Sequence, residues 1–437
     1  MKRTTWHPLI IVPWALLIVA AACVPTAASS AISIKDPQVI TGIATAEEAT
    51  KPTVEATGPS ASETSPTAAK PTGNPVKIGL ITPLIGRFAD HGARQKIAIL
   101  LGVEDVNHDG GINGSPLGIV MVDDAANPQE DETLVRRLAN EDKVVAIVGL
   151  PTNSSFEAAA PLANKLQVPL VTANSTKPGI TDQNRPWVFR FSIVDAAVVP
   201  VAIKGFMTLY PNARRIVITG DAKEPVNEHI IKNIFPKALK DAGLAVIDTV
   251  PFDTGTTDFS AIVSKIKSLN PLGIAFSSLT PEAVGMAKEF QRQGVKAPVL
   301  ASFQNWSGPE IILAKDLMEG WVTSGTFDEN TQDPFARAYL ERFVKIAEAD
   351  PAVRKPVYAG IWTQTYDMIK ALAEVLRGAS VSPDMDIQKA RKATQEGIQN
   401  LKGFKGITGE ISMLPNGDIT TTPLPFVARR GKWVPVK

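Results

Sequence analysis

The sequence predicts an α/β protein with two lobes, each a mostly parallel sheet flanked by helices. Short apolar runs alternate with stretches of ten or more residues in which apolar side chains recur every three or four positions. Such alternation is typical of βαβ units, which build parallel sheets. The pattern occurs twice, over about 76–171 and again over about 215–300, and two separate series indicate two lobes.

Each series places its strands and helices in regular succession. The first predicts strands at 76–81, 117–122, 144–148 and 168–171, with helices near 93–106, 130–138 and 155–166. The second predicts strands at 215–218, 244–250, 274–276 and 299–300, with helices near 226–242, 259–269 and 281–293. Helical patterns follow near 334–347, 357–377 and 387–395, with strands at 410–412 and 425–428 around an Asn416-Gly417 turn. Because these helices come after a complete second series, we expect the chain to return to the first lobe.

Composition and charge narrow the class of protein. The chain has 437 residues, 44% of them hydrophobic and 20% charged, which is enough apolar material for two globular domains. Lys and Arg (45) nearly balance Asp and Glu (44), so the net charge of +1 gives no reason to expect nucleic acid as a partner. The one cysteine, Cys23, excludes an internal disulfide framework and a cysteine-based zinc site.

The N-terminal sequence predicts export and anchoring. A basic Met1-Lys2-Arg3 precedes a short apolar run that ends in Ala20-Ala21-Ala22-Cys23, as in a secretory signal. The last four residues resemble a bacterial lipobox, although Ala20 stands where that motif more often has Leu. The resemblance implies a signal peptide over 1–22 and a lipid on Cys23. An ordinary secretory signal and an uncleaved membrane anchor are the alternatives, and all three place the body of the chain outside the cytoplasm.

Residues 24–75 are rich in Ala, Thr, Ser and Pro and contain few large apolar side chains. Such a segment cannot bury enough surface to offset the entropy lost on ordering it. We therefore expect residues 23–75 to be the lipidated cysteine and a disordered tether, which would hold a globular head away from a membrane.

Several motifs in the body occur in a recognisable order: Ile78-Gly79-Leu80-Ile81-Thr82-Pro83-Leu84-Ile85-Gly86, Asp105-Val106-Asn107 with Gly110-Gly111-Ile112-Asn113-Gly114, Asp123-Asp124, Val148-Gly149, Thr256-Thr257-Asp258-Phe259, and Leu414-Pro415-Asn416-Gly417-Asp418. In this order and spacing they resemble the branched-chain amino-acid-binding (Leu/Ile/Val-binding) family of ABC-importer solute receptors. The resemblance covers nearly all of Val76 to Lys437.

The resemblance implies a type I periplasmic-binding-protein fold with three crossings between the lobes. It places lobe 1 at 76–192 plus 302–420 and lobe 2 at 193–301 plus 421–437. A small-molecule ligand, an amino acid or a related compound, would lie in the cleft and close it. The implied partners are this ligand, an ABC-importer permease and the membrane. We expect a monomer with no cofactor.

Two polar loops are the first candidates for ligand contact. One follows the strand that ends at Gly149 and contains Asn153 and Ser154; the other contains Asn174, Ser175 and Thr176. Both approach helix starts, where free backbone N–H groups favour an anion. By resemblance these loops hold a ligand carboxylate. The alternative is that Asn153 and Ser154 only cap a helix and that Thr176 only shapes a turn.

Two ring-bearing residues are further candidates. The family often has a cleft aromatic at the position of His91, although a lone histidine is more usually a hydrogen-bonded loop residue. Trp306 follows the expected second crossing and could form a wall of the pocket or belong to the core. Four other tryptophans, Trp187, Trp321, Trp362 and Trp433, are assigned to packing.

The second lobe departs from the family at two predicted ligand positions. Asn227 stands where the amino-acid binders place an aromatic residue, and Thr256 stands where they place a Glu that pairs with the ligand ammonium. A buried ammonium without a carboxylate is strongly disfavoured. Asp221 or Glu224 could supply that charge; otherwise the ligand would be an amide, a keto acid or an aromatic carboxylate.

An enzyme and a ligand sensor are the alternatives to an importer receptor. An enzyme is disfavoured because the body has three histidines, no metal-ligand spacing, no G-x-S-x-G elbow and no phosphate or dinucleotide loop. Asp123 and Asp124 are adjacent and should point to opposite faces of a strand, which makes them a poor acid–base couple. A ligand sensor of the same fold is the alternative to an importer, and the importer is favoured because no further spanning segment is evident.

Overall fold

The computed structural model describes residues 39–42, 70–86 and 88–437. The expected signal peptide, Cys23 and most of the tether lie outside these ranges. The strands of the described residues are β1 Val39–Ile40, β2 Val76–Ile81, β3 Leu117–Val122, β4 Ile147–Gly149, β5 Leu170–Thr172, β6 Val188–Arg190, β7 Arg215–Asp221, β8 Ala245–Phe252, β9 Gly273–Ser277, β10 Val299–Ala301, β11 Val322–Gly325, β12 Phe404–Gly406, β13 Gly409–Met413, β14 Ile419–Thr420, β15 Leu424–Arg429 and β16 Lys432–Pro435.

Helices alternate with these strands through most of the described chain. They are α1 Ala89–His108, α2 Pro128–Asn140, α3 Asn153–Leu166, α4 Ile180–Gln183, α5 Asp195–Leu209, α6 Pro225–His229, α7 Phe235–Asp241, α8 Ser260–Ser268, α9 Thr280–Gln293, α10 Phe303–Trp306, α11 Glu310–Ala314, α12 Pro334–Ala349, α13 Trp362–Gly378 and α14 Ile387–Gln399. A π-helical turn, Ile230–Ile234, joins α6 to α7, where one continuous helix was expected. No helix among the described residues is both long enough and apolar enough for a membrane crossing.

The first lobe is built on a six-stranded sheet in the order β1-β3-β2-β4-β5-β6. Strands β2 to β6 are parallel, as the alternating pattern predicts. Helices α1 and α13 pack closely on this lobe, and Gly102 of α1 permits the approach because a Cβ there would lie 2.9 Å from Ile369 Cβ. The late helices thus return to the first lobe.

One short strand comes from the segment that was expected to be a disordered tether. Val39 and Ile40 pair antiparallel with Val120 and Ile119 at the free edge of β3. Gly118 makes room for this strand, since a Cβ there would lie 2.5 Å from Val39 Cγ1. Two β-branched residues are well suited to an open strand edge, so the tether prediction does not hold at this point.

The second lobe has a seven-stranded sheet in the order β16-β15-β11-β10-β9-β7-β8. Its centre is parallel, and β15 and β16 add an antiparallel edge. The expected 416–417 turn joins β13 to β14 in a separate small sheet and does not lead to β15.

The second crossing between the lobes lies later in the chain than expected. The boundary was placed at 302, but β11 pairs with β10 through Val322 and Leu300, and with β15 through Val322 and Val427. The chain therefore leaves the second lobe after Gly325. A four-residue strand carries little periodic signal, because it forms only when neighbouring strands complete its hydrogen bonds. The other crossings lie at 191–194 and 421–423.

We expect Gly325→Ala to lower the free energy of unfolding by about 1–3 kcal/mol, because overpacking a well-filled core costs about that much. A Cβ at Gly325 would lie 2.1 Å from the Trp306 indole. Gly378→Ala is the control, since a Cβ there meets open space, and it should leave stability unchanged or raise it by up to about 1 kcal/mol. Chemical denaturation measures both. Equal stability of the two variants would contradict the placement of β11 beside Trp306.

Candidate functional site

Polar loops follow the strands at which the strand order of each parallel sheet reverses. In the first sheet β2 lies between β3 and β4, and in the second β7 lies between β8 and β9. In open α/β sheets, ligands bind beyond the carboxyl ends of the strands at such switch points. The predicted ligand residues of both lobes lie mostly in these loops.

Asn153 joins the two polar loops of the first lobe. Its Oδ1 accepts hydrogen bonds from Ser175 Oγ (2.7 Å), Thr176 N (2.9 Å) and Lys177 N (3.1 Å). Ser175 and Thr176 are buried, and Asn153 is half-buried. The structure therefore brings together three of the residues that the sequence placed in the ligand site.

The helix that begins at Asn153 is capped by its predecessor. Thr152 Oγ1 accepts a hydrogen bond from Ser155 N at 3.2 Å, so the interpretation of Asn153 and Ser154 as the cap is wrong. Ser154 is exposed, and its Oγ lies 3.1 Å from Thr152 Oγ1. The remaining N–H groups of this first turn, together with the helix dipole, favour a negatively charged group here.

Arg190 supports the second loop from below. This side chain is fully buried, and its Nη1 donates to the carbonyl oxygens of Lys177 (2.7 Å) and Ser175 (3.3 Å). Its Nε donates to Asp418 Oδ1 at 2.9 Å, which compensates the buried charge. Ser192 Oγ also donates to the Ser175 carbonyl. The backbone around Thr176 is thereby fixed by the buried Arg190 guanidinium and its ion pair with the half-buried Asp418.

Asn174 faces a different set of partners from the rest of its loop. Its Oδ1 accepts hydrogen bonds from Gln95 Nε2 of α1 (2.8 Å) and Thr365 Oγ1 of α13 (3.3 Å). Its Nδ2 is buried and makes no hydrogen bond. Asn174 thus connects the loop to two helices of the first lobe.

His91 has the surroundings of a cleft residue. Its ring lies edge-on to Phe88 (centroids 5.8 Å apart) and to Trp362 (6.0 Å), while the residue itself is exposed. Burial by the surrounding protein lowers the pKa of His91, and the charge of Asp90 opposes this shift. Two aromatic side chains thus flank His91, which is exposed as a residue.

In the second lobe Asn227 belongs to a buried hydrogen-bonded chain. Its backbone N and its Nδ2 donate to Glu224 Oε2, at 2.9 and 2.7 Å, and its Oδ1 accepts from Ser277 Oγ at 2.6 Å. Ser277 Oγ also lies 2.9 Å from Ser302 Oγ, from which it can accept a hydrogen bond. Asn227 is fully buried, so its side chain links the ends of β7, β9 and β10 beneath the surface.

The two carboxylates proposed for a ligand ammonium have different environments. Asp221 is fully buried, and both its oxygens accept from Thr254 Oγ1, at 2.9 and 2.7 Å. Its Oδ1 also accepts from Lys223 N and Glu224 N. Asp221 is therefore committed to its own loop, whereas Glu224 is half-buried and only its Oε2 is engaged in the bonds to Asn227.

Thr256 lies in a turn closed by its own hydroxyl, which donates to the Asp253 carbonyl at 2.6 Å. Beside it, Gly255 N donates to Glu282 Oε1 at 2.9 Å. Glu282 is buried, and its Oε2 has no hydrogen-bond partner. A carboxylate from α9 thus lies next to the position where the family has one.

Asp195 is the residue of this region that sequence reasoning missed. It begins α5 directly after the first crossing, is 4% exposed, and has one oxygen, Oδ1, without a partner. Burial raises the pKa of Asp195 to about 7, opposed by a hydrogen bond from Thr176 and the charge of Arg190, while Glu224 raises it further. Asp195 therefore interacts with the polar loops of both lobes.

Trp306 does not lie where a ligand wall was expected. It is 1% exposed and packs against Phe303, Phe426 and Tyr358, with ring centroids 5.3, 6.2 and 6.4 Å away. The large apolar ring is more stable in this aromatic core than at a polar cleft. The four tryptophans assigned to packing, Trp187, Trp321, Trp362 and Trp433, are all buried.

No group of three or more His, Cys, Asp or Glu in the described part of the chain could hold a metal ion. Two cavities, of about 440 and 680 Å³, lie away from the polar loops, one beside α12 and one between Trp187 and α14. The candidate site is therefore defined by the chemistry and placement of its loops.

Two α/β lobes with three crossings, and polar loops at the switch points of both sheets, define a two-lobed solute-binding protein. The chain belongs to the periplasmic binding protein family, whose model matches residues 75–430. The type I fold and the recognition of the branched-chain amino-acid-binding family are confirmed. The chain is therefore a solute-binding protein, and its family is described as periplasmic.

Similar proteins include the leucine-, isoleucine-, valine-, threonine- and alanine-binding protein of Pseudomonas aeruginosa. It is 26% identical over 346 residues, covering 79% of this chain and 87% of that protein. The fold is also that of a branched-chain amino acid transporter substrate-binding protein from Streptococcus pneumoniae in complex with isoleucine (TM-score 0.67, 21% identity, 82% of this chain and 98% of that one). A solute-binding protein from R. palustris in complex with 4-hydroxybenzoate is equally similar (TM-score 0.67, 21% identity, 83% and 95%). These relatives are solute-binding proteins and not enzymes.

We expect Arg190→Met to lower the free energy of unfolding by about 3–5 kcal/mol, since removing one partner of a buried ion pair leaves the other uncompensated. Arg292→Met is the control: that guanidinium pairs with Glu289 at 2.6 Å but is largely exposed, so its loss should leave the free energy of unfolding almost unchanged. Denaturant titration of both variants measures the difference. Equal losses of unfolding free energy in the two variants would contradict the role of Arg190 in holding the second polar loop.

Proposed function

We propose that this chain is the receptor of an ABC importer that closes its two lobes on a small carboxylate-bearing solute. The observation that carries the proposal is the hydrogen bonding of Asn153, which holds Ser175 and Thr176 at the amino end of α3. Hydroxyl groups and free N–H groups converge there, and Arg190 keeps the loop in place. Such an arrangement suits an anionic group and offers no nucleophile or acid–base couple.

The ligand carboxylate would be held by Asn153, Ser154, Ser175 and Thr176. Ser154 is the most exposed of the four, and the side chain of Thr176 hydrogen-bonds with Asp195. His91 would border the same cleft. Asn227 and Thr256 would act on the ligand through the loops that they hold, because their polar atoms are engaged within the protein, whereas Asn174 keeps an unpartnered Nδ2.

Two carboxylates of the second lobe, Asp195 and Glu224, favour a ligand that carries an amino group. Asp195 has an unpartnered buried oxygen next to Thr176, and Glu224 adds a second negative charge. An ammonium between them would supply the missing donors and relieve the repulsion. We therefore favour an amino acid, as in the Pseudomonas aeruginosa protein named for five of them, over an aromatic acid such as the 4-hydroxybenzoate bound by the R. palustris protein.

A thermal-shift panel on residues 37–437, which include β1, tests the ligand class. We expect at least one of leucine, isoleucine, threonine and alanine to raise the melting temperature, since a ligand at about 100 times its Kd adds about 2.7 kcal/mol. Thr176→Val should weaken that shift. Thr133→Val, on the exposed face of α2, is the control and should leave the ligand-induced shift unchanged.

Asp195→Asn separates the two ligand classes in the same panel. It should abolish the shift by an amino acid but leave unchanged, or strengthen, a shift by 4-hydroxybenzoate. If 4-hydroxybenzoate alone stabilises the protein, the amino-acid proposal fails while the solute-receptor proposal stands. If nothing in a broad metabolite mixture shifts the melting temperature, the receptor proposal fails as well.

Membrane anchoring through Cys23 is the second part of the proposal. It is supported by the sole cysteine directly following three small residues at the end of an apolar segment. We expect Cys23→Ser to release the protein from the membrane fraction, because the lipid would have no attachment atom. Ser29→Ala, six residues further on, is the control and should remain bound. Unchanged membrane retention of the Cys23 variant would contradict the anchor.

A further inference from the structure

Three buried polar side chains meet behind the amino end of α3. They are Asp124 from the loop after β3, Asp131 from α2 and Ser155 from α3, with exposures of 1%, 0% and 0%. Ser155 donates its hydroxyl hydrogen to Asp124 Oδ2 at 3.3 Å. This cluster therefore lies directly under the turn that presents Asn153 and Ser154 to the cleft.

The cluster has more acceptors than donors. Asp124 Oδ1 accepts from Ala126 N at 3.1 Å, and Asp124 Oδ2 accepts from Ser155. Neither oxygen of Asp131 has a donor when both carboxyl groups are ionised. Ser155 has a single hydrogen and cannot donate to both acids at once. One proton held between the two carboxyl groups would supply the missing donor.

Among residues 39–42, 70–86 and 88–437, no cation is a main influence on Asp131. The largest charges acting on Asp131 are those of Asp124 and Glu130, both negative. The neighbouring Asp123 is turned away, with its Oδ1 accepting from Leu84 N and Ala125 N. Lys77, the charged residue of β2, is not among the main influences on Asp131.

The ionic groups of α2 and α3 pair at the surface instead. Arg136 lies 4.0 Å from Glu132, Arg137 lies 3.5 Å from Asp142, and Lys177 lies 2.6 Å from Glu157. Two carboxylates without a cation in a buried site cannot both ionise without a large free-energy cost.

We propose that Asp124 and Asp131 share one proton and that loss of this proton loosens the first turn of α3. The pair then acts as a pH-dependent support for the loops that hold the solute. When the proton is present, Asp131 and Asp124 are hydrogen-bonded and Ser155 completes the cluster. When it is lost, two adjacent negative charges remain beneath the same turn, and the turn must open to admit water.

The direction of the pH dependence follows from the environment of the pair. Burial, followed by the charge of Asp124, raises the pKa of Asp131 to about 7, and burial also raises the pKa of Asp124. The folded protein therefore binds a proton that the unfolded chain releases near pH 4. The contribution of the pair to stability is present at low pH and is lost as the pH rises from about 4 to about 7 and above.

Thermal unfolding of the ligand-free protein tests the shared proton. We expect Asp131→Asn to melt above the wild type at about pH 8, because the amide cannot ionise, and this difference should narrow toward about pH 5. Glu132→Gln removes one negative charge from the exposed face of the same helix and should follow the wild-type profile. Parallel profiles for the wild type and Asp131→Asn would overturn the proposal.

Hydrogen exchange of the wild type gives a second test that needs no variant. After correction for intrinsic rates, the amides of residues 153–156 should lose about tenfold protection or more between pH 6 and pH 8. The amides of α14 serve as the internal reference and should change little. Unchanged protection at 153–156 would exclude the loosening. Both tests are made without a solute, so they stand or fall separately from the ligand proposal.

Discussion

The amide oxygen of Asn153 is the acceptor on which the geometry of the candidate site depends. Three donors from the neighbouring loop converge on this one atom, so the two polar loops of the first lobe have a fixed spacing. Arg190 then holds the carbonyl groups of the same loop from the opposite side, and Asp418 balances its charge. The loop is thus fixed on both faces, and the free N–H groups in the first turn of α3 beside it are preorganised for an anion.

Much of the fold could be predicted because parallel strands and amphipathic helices leave strong periodic signals. Asn153, Ser175 and Thr176 could be found for a similar reason, since polar residues that follow a buried strand fall at the ligand edge of a sheet. Helix α5 was missed because apolar residues lie on nearly all of its faces and give no periodic contrast. Asp195 was missed with it, although an acidic residue at the first position of a helix is a recognisable signal.

The roles of other residues depend on partners that are distant in the sequence. Trp306 could not be assigned to the core without Gly325 and Phe426, which come from strands 19 and 120 positions further along the chain. The sequence predicts Asp221 as a possible ligand contact, but in the structure its carboxylate accepts a hydrogen bond from Thr254 Oγ1. Burial and hydrogen bonding of this kind are tertiary properties, and local sequence patterns do not report them.

The late strand pairing of the second lobe has a consequence for how the molecule can bend. Gly325, the last residue before one crossing, is paired directly with Leu424, the first residue after another. Ser324 Oγ also donates to the Val198 carbonyl at 2.8 Å, which fastens the helix that follows the remaining crossing to the same strand. All three connections are therefore rooted at the paired strands β11 and β15 of the second sheet. Relative rotation of the two lobes would be confined to an axis through this strand pair, with each sheet moving as a rigid body.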